Sequence, residues 1–349
     1  MVSFISLRPF RSLLISLTVI NLNAHASNAK LVEEFIDAGP AVAESHASTL
    51  VETSPGVFYA AWFGGTKEAD VDTTIWGARR TSKGWTKPHE IAAAIGPDGT
   101  RVPSYNPVLI TPEANRLALV YSAGWEGKQW LPWVQWSEDQ GETWTQPKRL
   151  PDGMRGPDRN KTFILPNGEV LHPSTAANGI HIEISDSELL NWKRLPRLED
   201  PEKLLALQPT ILDHGNERLQ ILTRTFARKL GSAWSEDNGK TWSPIQPLDI
   251  YMANSGIDAV KLPDNRYLLV YNPTSAPLYP TAWGKRDTIT IALSDDGISW
   301  RNVLDLETAP VREGYAYPCV IVGSDGLVPL TYTPARTRIR YVVLDPSLL

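Results

Sequence analysis

One cysteine, Cys319, stands in 349 residues. A single thiol closes no intrachain disulfide and supplies no Cys-based metal site. Basic blocks are missing as well. With 34 Lys and Arg against 39 Asp and Glu the formal charge is −5, and no cluster of it points to nucleic acid. No Ser/Gly-rich linker or low-complexity stretch divides the chain, so one domain is expected despite its length. Long apolar runs are scarce. Leu13–Ile20 is too short to span a bilayer, and no membrane span is expected. Arg8 and Arg11 precede that run and Ala24-His25-Ala26 follows it, the layout of a secretory signal. Residues 1–26 are therefore expected to be removed, leaving a secreted or periplasmic domain over residues 27–349. Their loss takes away two Arg and no acid, moving the charge from −5 to −7. An exported chain without disulfides must rely on a large core, and one of this length can supply it.

What the chain has is Trp and Pro, 13 and 28 of them, with few helix-like stretches. That favours a β-rich fold with many turns. Internal repetition is the strongest signal. The motif Ser-x-Asp-x-Gly-x-Thr-Trp occurs at Ser137–Trp144 and again at Ser235–Trp242. Ser294–Trp300 is one residue shorter, Ser185–Trp192 has lost its Gly, and Ser82–Trp85 is a remnant. The chemistry is that of a hairpin turn: Asp accepts backbone N–H bonds, Gly takes positive φ, and Trp is expected to pack beneath the next repeat.

A second series counts the repeats. Turns at Pro55-Gly56, Glu113–Asn115, Asn167-Gly168, His214-Gly215, Asp264-Asn265 and Asp325-Gly326 interrupt apolar, strand-like runs. They recur about every fifty to sixty residues, the length of a four-stranded propeller blade. Six turns predict an all-β, six-bladed β-propeller of antiparallel blades. The early strand Leu31–Ile36 and the late strand Ile339–Leu344 are expected to close the ring.

Topology then chooses the functional face. The six turns join strands one and two of each blade, and the Trp-bearing hairpins join strands three and four. Two reversals separate them, so both lie at the bottom. The starts of the inner strands and the loops after strand two face the top. Aligned on their turns, the inner strands begin at His46, Asn106, Lys161, Gln208, Asp258 and Tyr317, a polar ring at the top mouth.

The Ser-x-Asp-x-Gly-x-Thr-Trp motif resembles the Asp-box, or BNR repeat, of sialidases, and the likeness runs over roughly residues 40–345. Sialidases are six-bladed propellers that cleave a terminal acidic sugar from glycans with retention. The resemblance implies a Tyr nucleophile late in the chain, for which Tyr317 is the match and Tyr315 the fallback. It implies an acid/base Asp in the loop after strand two of blade one, where Asp70 fits best and Glu68 and Asp72 are alternatives. It implies three Arg gripping the sugar carboxylate. Arg286 matches the third and Arg224 or Arg228 the second. The first is replaced by Ser45-His46-Ala47, and the acid expected near the start of blade four by Gln208. Glu313 is the candidate to stand in for that acid.

These departures widen the range of substrates. Arg159-Asn160-Lys161, Arg224 and Arg286 give a cationic top face suited to an anionic sugar such as a uronate. His46 suits general acid or base work near neutral pH, and His172 is a further top-face candidate. Three readings follow: a retaining exo-glycosidase, a polysaccharide lyase in which His46 or Tyr317 abstracts the proton α to a uronate carboxylate, and a non-catalytic glycan-binding propeller. Neither enzymatic mechanism calls for a metal or cofactor.

Overall fold

The computed structural model describes residues 27–36, 39, 42–96, 98–113, 115–125, 130–177, 179–275 and 284–349. The expected export signal lies outside them. Six antiparallel sheets follow one another around an axis, each with its first strand innermost. The inner strands are Glu44–Ser54, Ser104–Glu113, Phe163–Ile164, Ala206–Gly215, Asp258–Lys261 and Tyr315–Val320. Each pairs with the following strand across one of the six turns read from the sequence. Blade six takes its outer strand from the other end of the chain: Lys30–Ile36 pairs antiparallel with Ile339–Leu344. Closure of this kind removes two free sheet edges. The Arg80 guanidinium grips Glu34 with two bonds of 3.1 Å and so ties blade one to the closing strand. One extra hairpin, Ala94–Ile95 with Arg101–Val102, lies between blades one and two.

The Asp-boxes share one hydrogen-bond scheme. In Ser137–Trp144 the Asp139 carboxylate accepts from the Thr143 N–H (2.9 Å) and hydroxyl (2.6 Å), and Ser137 Oγ accepts from the Gly141 N–H (2.8 Å). Asp237, Thr241, Ser235 and Gly239 repeat it. The box without Gly puts Leu189 at φ 53° instead, and Trp192 Nε1 donates to the Leu189 carbonyl (2.7 Å). The direction of packing differs from the expected one. Trp144, in blade two, meets Tyr59 of blade one edge-on at 5.9 Å, so the box leans on the preceding blade. Gly141 is held to glycine twice over: its φ is +88°, and an added Cβ would lie 2.1 Å from the Tyr59 ring.

Four inner strands carry the same irregularity near their upper ends. The pairing slips by one residue at Ala47-Ser48, Asn106-Pro107, Gln208-Pro209 and Tyr317-Pro318. The first residue of each pair has positive φ, between 47° and 54°. These are β-bulges, which re-aim a side chain at a barrel or propeller rim. They also correct the sequence register by one residue in blade one, because Ala47, not His46, occupies the place of Tyr317.

Candidate active site

Tyr317 is where the upper axis is most crowded with charge. Its bulge turns the ring toward three arginines brought from three other places in the ring. Arg159 precedes the inner strand of blade three, Arg224 ends the second strand of blade four, and Arg286 precedes the third strand of blade five. Their guanidinium carbons lie 5.2, 5.6 and 5.8 Å from the Tyr317 ring centroid. Arg224 Nη1 donates to the Tyr317 hydroxyl oxygen at 3.0 Å. Burial raises the pKa of this phenol, but Arg224, Arg286, the Arg224 hydrogen bond and Arg159 together outweigh it, so it sits below the ordinary tyrosine value. Gly256 makes room: a Cβ there would stand 2.9 Å from Tyr317 Cδ1 and 3.3 Å from Arg159 Nε.

Arg159-Asn160 staples the bulges. Arg159, only 2% exposed, donates to the Pro318 carbonyl and to Asn160 Oδ1. Asn160 Nδ2 donates to the carbonyls of Gln208 (2.9 Å) and Pro209 (3.1 Å). Gln208 itself is 7% exposed with its Oε1 unpartnered, and its N–H donates to Thr175 Oγ1 (2.8 Å).

His46 closes the other side of Tyr317, ring to ring at 4.4 Å in an edge contact. Burial first, then Arg336, Arg286, Arg159 and Arg224, push its ionisation well below the ordinary histidine range, so the imidazole is neutral at pH 7. Arg336 carries no motif and went unread in the sequence. It follows the second strand of blade six as Arg228 follows that of blade four, and the shared run Thr-x-Thr-x-Ala-Arg, at 223–228 and 331–336, was the available signal. It pairs with Glu68 and approaches Glu44, and its carbonyl accepts the Ser45 N–H (2.8 Å).

A cavity of about 570 Å³ opens beside this cluster, lined by Glu44, Lys67, Glu68, Tyr105, Trp130, Glu313 and Arg336 among others. Of the three loop carboxylates considered from the sequence, Glu68 is the one in its wall. Asp70 is exposed, and Asp72 is taken up by the N–H and hydroxyl of Thr66. Glu313 lines the same cavity with its side chain 53% exposed; it faces Arg312 and makes no hydrogen bond to Tyr317.

Other sequence candidates fall elsewhere. Asp258 is fully buried and Lys161 binds it at 2.6 Å, while Thr210 Oγ1 and the Val320 N–H also donate to its carboxylate. Lys161 also borders a lower axial cavity beside Leu50, Leu109 and Ile321, so this pair knits the blades beneath the mouth. Tyr315 is a core residue whose hydroxyl donates to the Ala309 carbonyl (2.8 Å). Arg228 lies near Gly284, its Nη2 3.1 Å from where a Cβ there would stand. His172 is no top-face residue: it stacks on Trp192 and bonds Ser185, both of the blade-three Asp-box hairpin at the bottom.

A family model described as a BNR repeat-like domain matches residues 56–330. The chain belongs to that family. BNR repeats and a six-bladed sialidase-like propeller are thus established together, and solved structures agree on the fold. A Dyadobacter fermentans protein of unknown function superposes with TM-score 0.71 at 18% identity, over 90% of this chain and 98% of that one. The intramolecular trans-sialidase of Ruminococcus gnavus gives 0.70 at 15%, over 92% and 99%. The NanB sialidase of Streptococcus pneumoniae gives 0.67 at 12%, over 93% and 71%. No curated protein matches by sequence.

Proposed function

We propose that this BNR protein is an exported glycoside hydrolase that removes a terminal carboxylate-bearing sugar from glycans with retention. The observation that carries the reading is the Tyr317 hydroxyl on Arg224, with Arg159 and Arg286 around the same ring. Arg224 and Arg286 take the sugar carboxylate, and Arg159 fixes the tyrosine from below. A tyrosine oxygen ringed by guanidiniums suits attack beside that carboxylate, because the arginines offset the negative charge that would repel an uncompensated aspartate or glutamate. The acid/base comes from the Thr66–Asp72 loop. Asp70 fits by resemblance and Glu68 by its place in the cavity wall, and Asp70→Asn and Glu68→Gln separate them. Two of the structural neighbours carry the names sialidase and trans-sialidase, which supports an acidic-sugar glycosidase. Residues 1–26 act as the export signal.

The test is a screen of sialosides and uronate-containing oligosaccharides with wild type and Tyr317→Phe. A new reducing end released by wild type and lost in the variant supports the reading; full turnover by Tyr317→Phe removes it. A second reading has one observation of its own, the neutral His46 edge against Tyr317. There the pair abstracts the proton α to a uronate carboxylate and eliminates the glycosidic oxygen. Its mark is a product absorbing in the near ultraviolet, whereas binding without either product identifies a lectin.

A further inference from the structure

The one hydrogen bond of the Tyr317 oxygen among the described residues is one it accepts, at 3.0 Å. Arg224 Nη1 points at it, and among the described residues no carboxylate, carbonyl or amide oxygen accepts from it. A neutral phenol, part-exposed as this one is, accepts the same bond and gives its proton to solvent; what favours the phenolate is three guanidiniums 5.2–5.8 Å from the ring centroid, one of them bonded to the oxygen. We propose that Arg224 is the positioning residue that keeps the Tyr317 oxygen as a phenolate in the resting protein, without a carboxylate to take its proton.

The groups facing Tyr317 come from every side. Blade one gives His46, neutral, and behind it Arg336, itself paired with Glu68. Arg159 comes from ahead of blade three. Blade four gives Arg224, with Gln208, an uncharged amide, at the equivalent bulge. Blade five gives Gly256 and Arg286. Blade six itself gives Glu313, exposed and turned to Arg312. The buried acid nearest below, Asp258, is already neutralised by Lys161 and hydrogen-bonded by Thr210 and the Ala259 and Val320 N–H groups. The balance around the oxygen is cationic, and the rest of the molecule is its control. Tyr59, Tyr121, Tyr267, Tyr271, Tyr315, Tyr332 and Tyr341 are all shifted upward by burial, and Tyr317 is shifted down.

The catalytic consequence rests on the hydrolase reading above. A standing phenolate needs no general base in the first step. Its lone pair forms the bond to the anomeric carbon, the glycosidic C–O bond breaks toward the leaving oxygen, and that oxygen takes a proton from the loop acid. A substrate carboxylate that shares the arginines loosens their hold on the oxygen and makes it more nucleophilic in the complex.

Ultraviolet difference spectroscopy tests the proposal without a substrate. Wild type minus Tyr317→Phe at ~pH 7 is expected to show a phenolate band; its absence overturns the proposal. Arg224→Gln is expected to lose the band, which then returns only at strongly alkaline pH. Arg224→Lys, with the charge kept, is expected to retain part of it, and near-ultraviolet circular dichroism checks that each variant is folded. A band unchanged in folded Arg224→Gln assigns the hold to Arg159 and Arg286 and overturns the role of Arg224. The two readings fail separately. A phenolate in a protein that cleaves no acidic glycoside keeps this proposal and removes the hydrolase; a hydrolase dead as Tyr317→Phe but lacking the band does the reverse.

Discussion

Single atoms decide much at the mouth. Gly256 faces a ring wedged among three guanidiniums, and a methyl 2.9 Å from Tyr317 Cδ1 has nowhere to push it. Gly256→Ala is expected to cut kcat about tenfold on any substrate found and, as an overpacked site, to cost about 1–3 kcal/mol of stability. Kinetics beside a thermal melt check it, and unchanged turnover would mean that the ring has slack. His172 makes the opposite case, a titratable group whose work is structural. Burial pushes its ionisation down to about 3, whereas in the unfolded chain it titrates near ~6.5. Its contribution to stability is therefore whole above about 6.5 and is lost as pH falls toward about 3, because only the unfolded state takes up the proton. His172→Gln is expected to lower stability at neutral pH yet give a shallower loss between ~pH 6.5 and ~pH 4, read from urea midpoints at each pH.

Among the repeated elements, the Asp-box holds its hairpin through a carboxylate that serves backbone donors. Asp237 accepts from the N–H groups of Lys240 and Thr241 and from the Thr241 hydroxyl. Asp237→Ala is expected to cost about 1–2 kcal/mol, seen as a lower denaturation midpoint, with kcat of the folded protein unchanged because the box lies at the end opposite Tyr317. A selective loss of rate would contradict that placement. The boxes and the six turns were plain in the sequence because each is a local device, set by Asp, Gly or Asn within a few residues. The bulges were not. Ala47, Asn106, Gln208 and Tyr317 share no residue type; Pro follows the last three, but the feature common to all four, one extra residue against the partner strand, exists only once the strands pair.

At the scale of the whole molecule, the ring holds because its two ends meet. Lys30–Ile36 covers the edge of Ile339–Leu344, Arg80 clasps Glu34, and Glu52 accepts from the N–H (2.7 Å) and hydroxyl (2.9 Å) of Ser324 at the same seam. Deleting residues 27–36 exposes that edge. It is expected to lower the melting temperature by several degrees and to cause concentration-dependent association, seen by thermal melts and size-exclusion chromatography. A closed, monomeric and equally stable deletion variant would show that the inner strands alone hold the ring.

Residue order by itself determined the number of blades, the strand that closes them and the end of the axis where polar residues collect. Each follows from local turn chemistry and the alternation of chain direction. It also brought Tyr317, Arg224 and Arg286 forward, by resemblance. Only the folded ring decided which of the six first-strand polar residues stand at the mouth. Tyr317, His46 and Gln208 stay there, while Lys161 and Asp258 pair one level below. The same packing brought in Arg336 and turned Glu68, rather than Asp70, toward the cavity. Such choices depend on distances between residues far apart in the chain, 97 positions for Lys161 and Asp258 and 268 for Glu68 and Arg336, and those distances are fixed only when six sheets close around one axis.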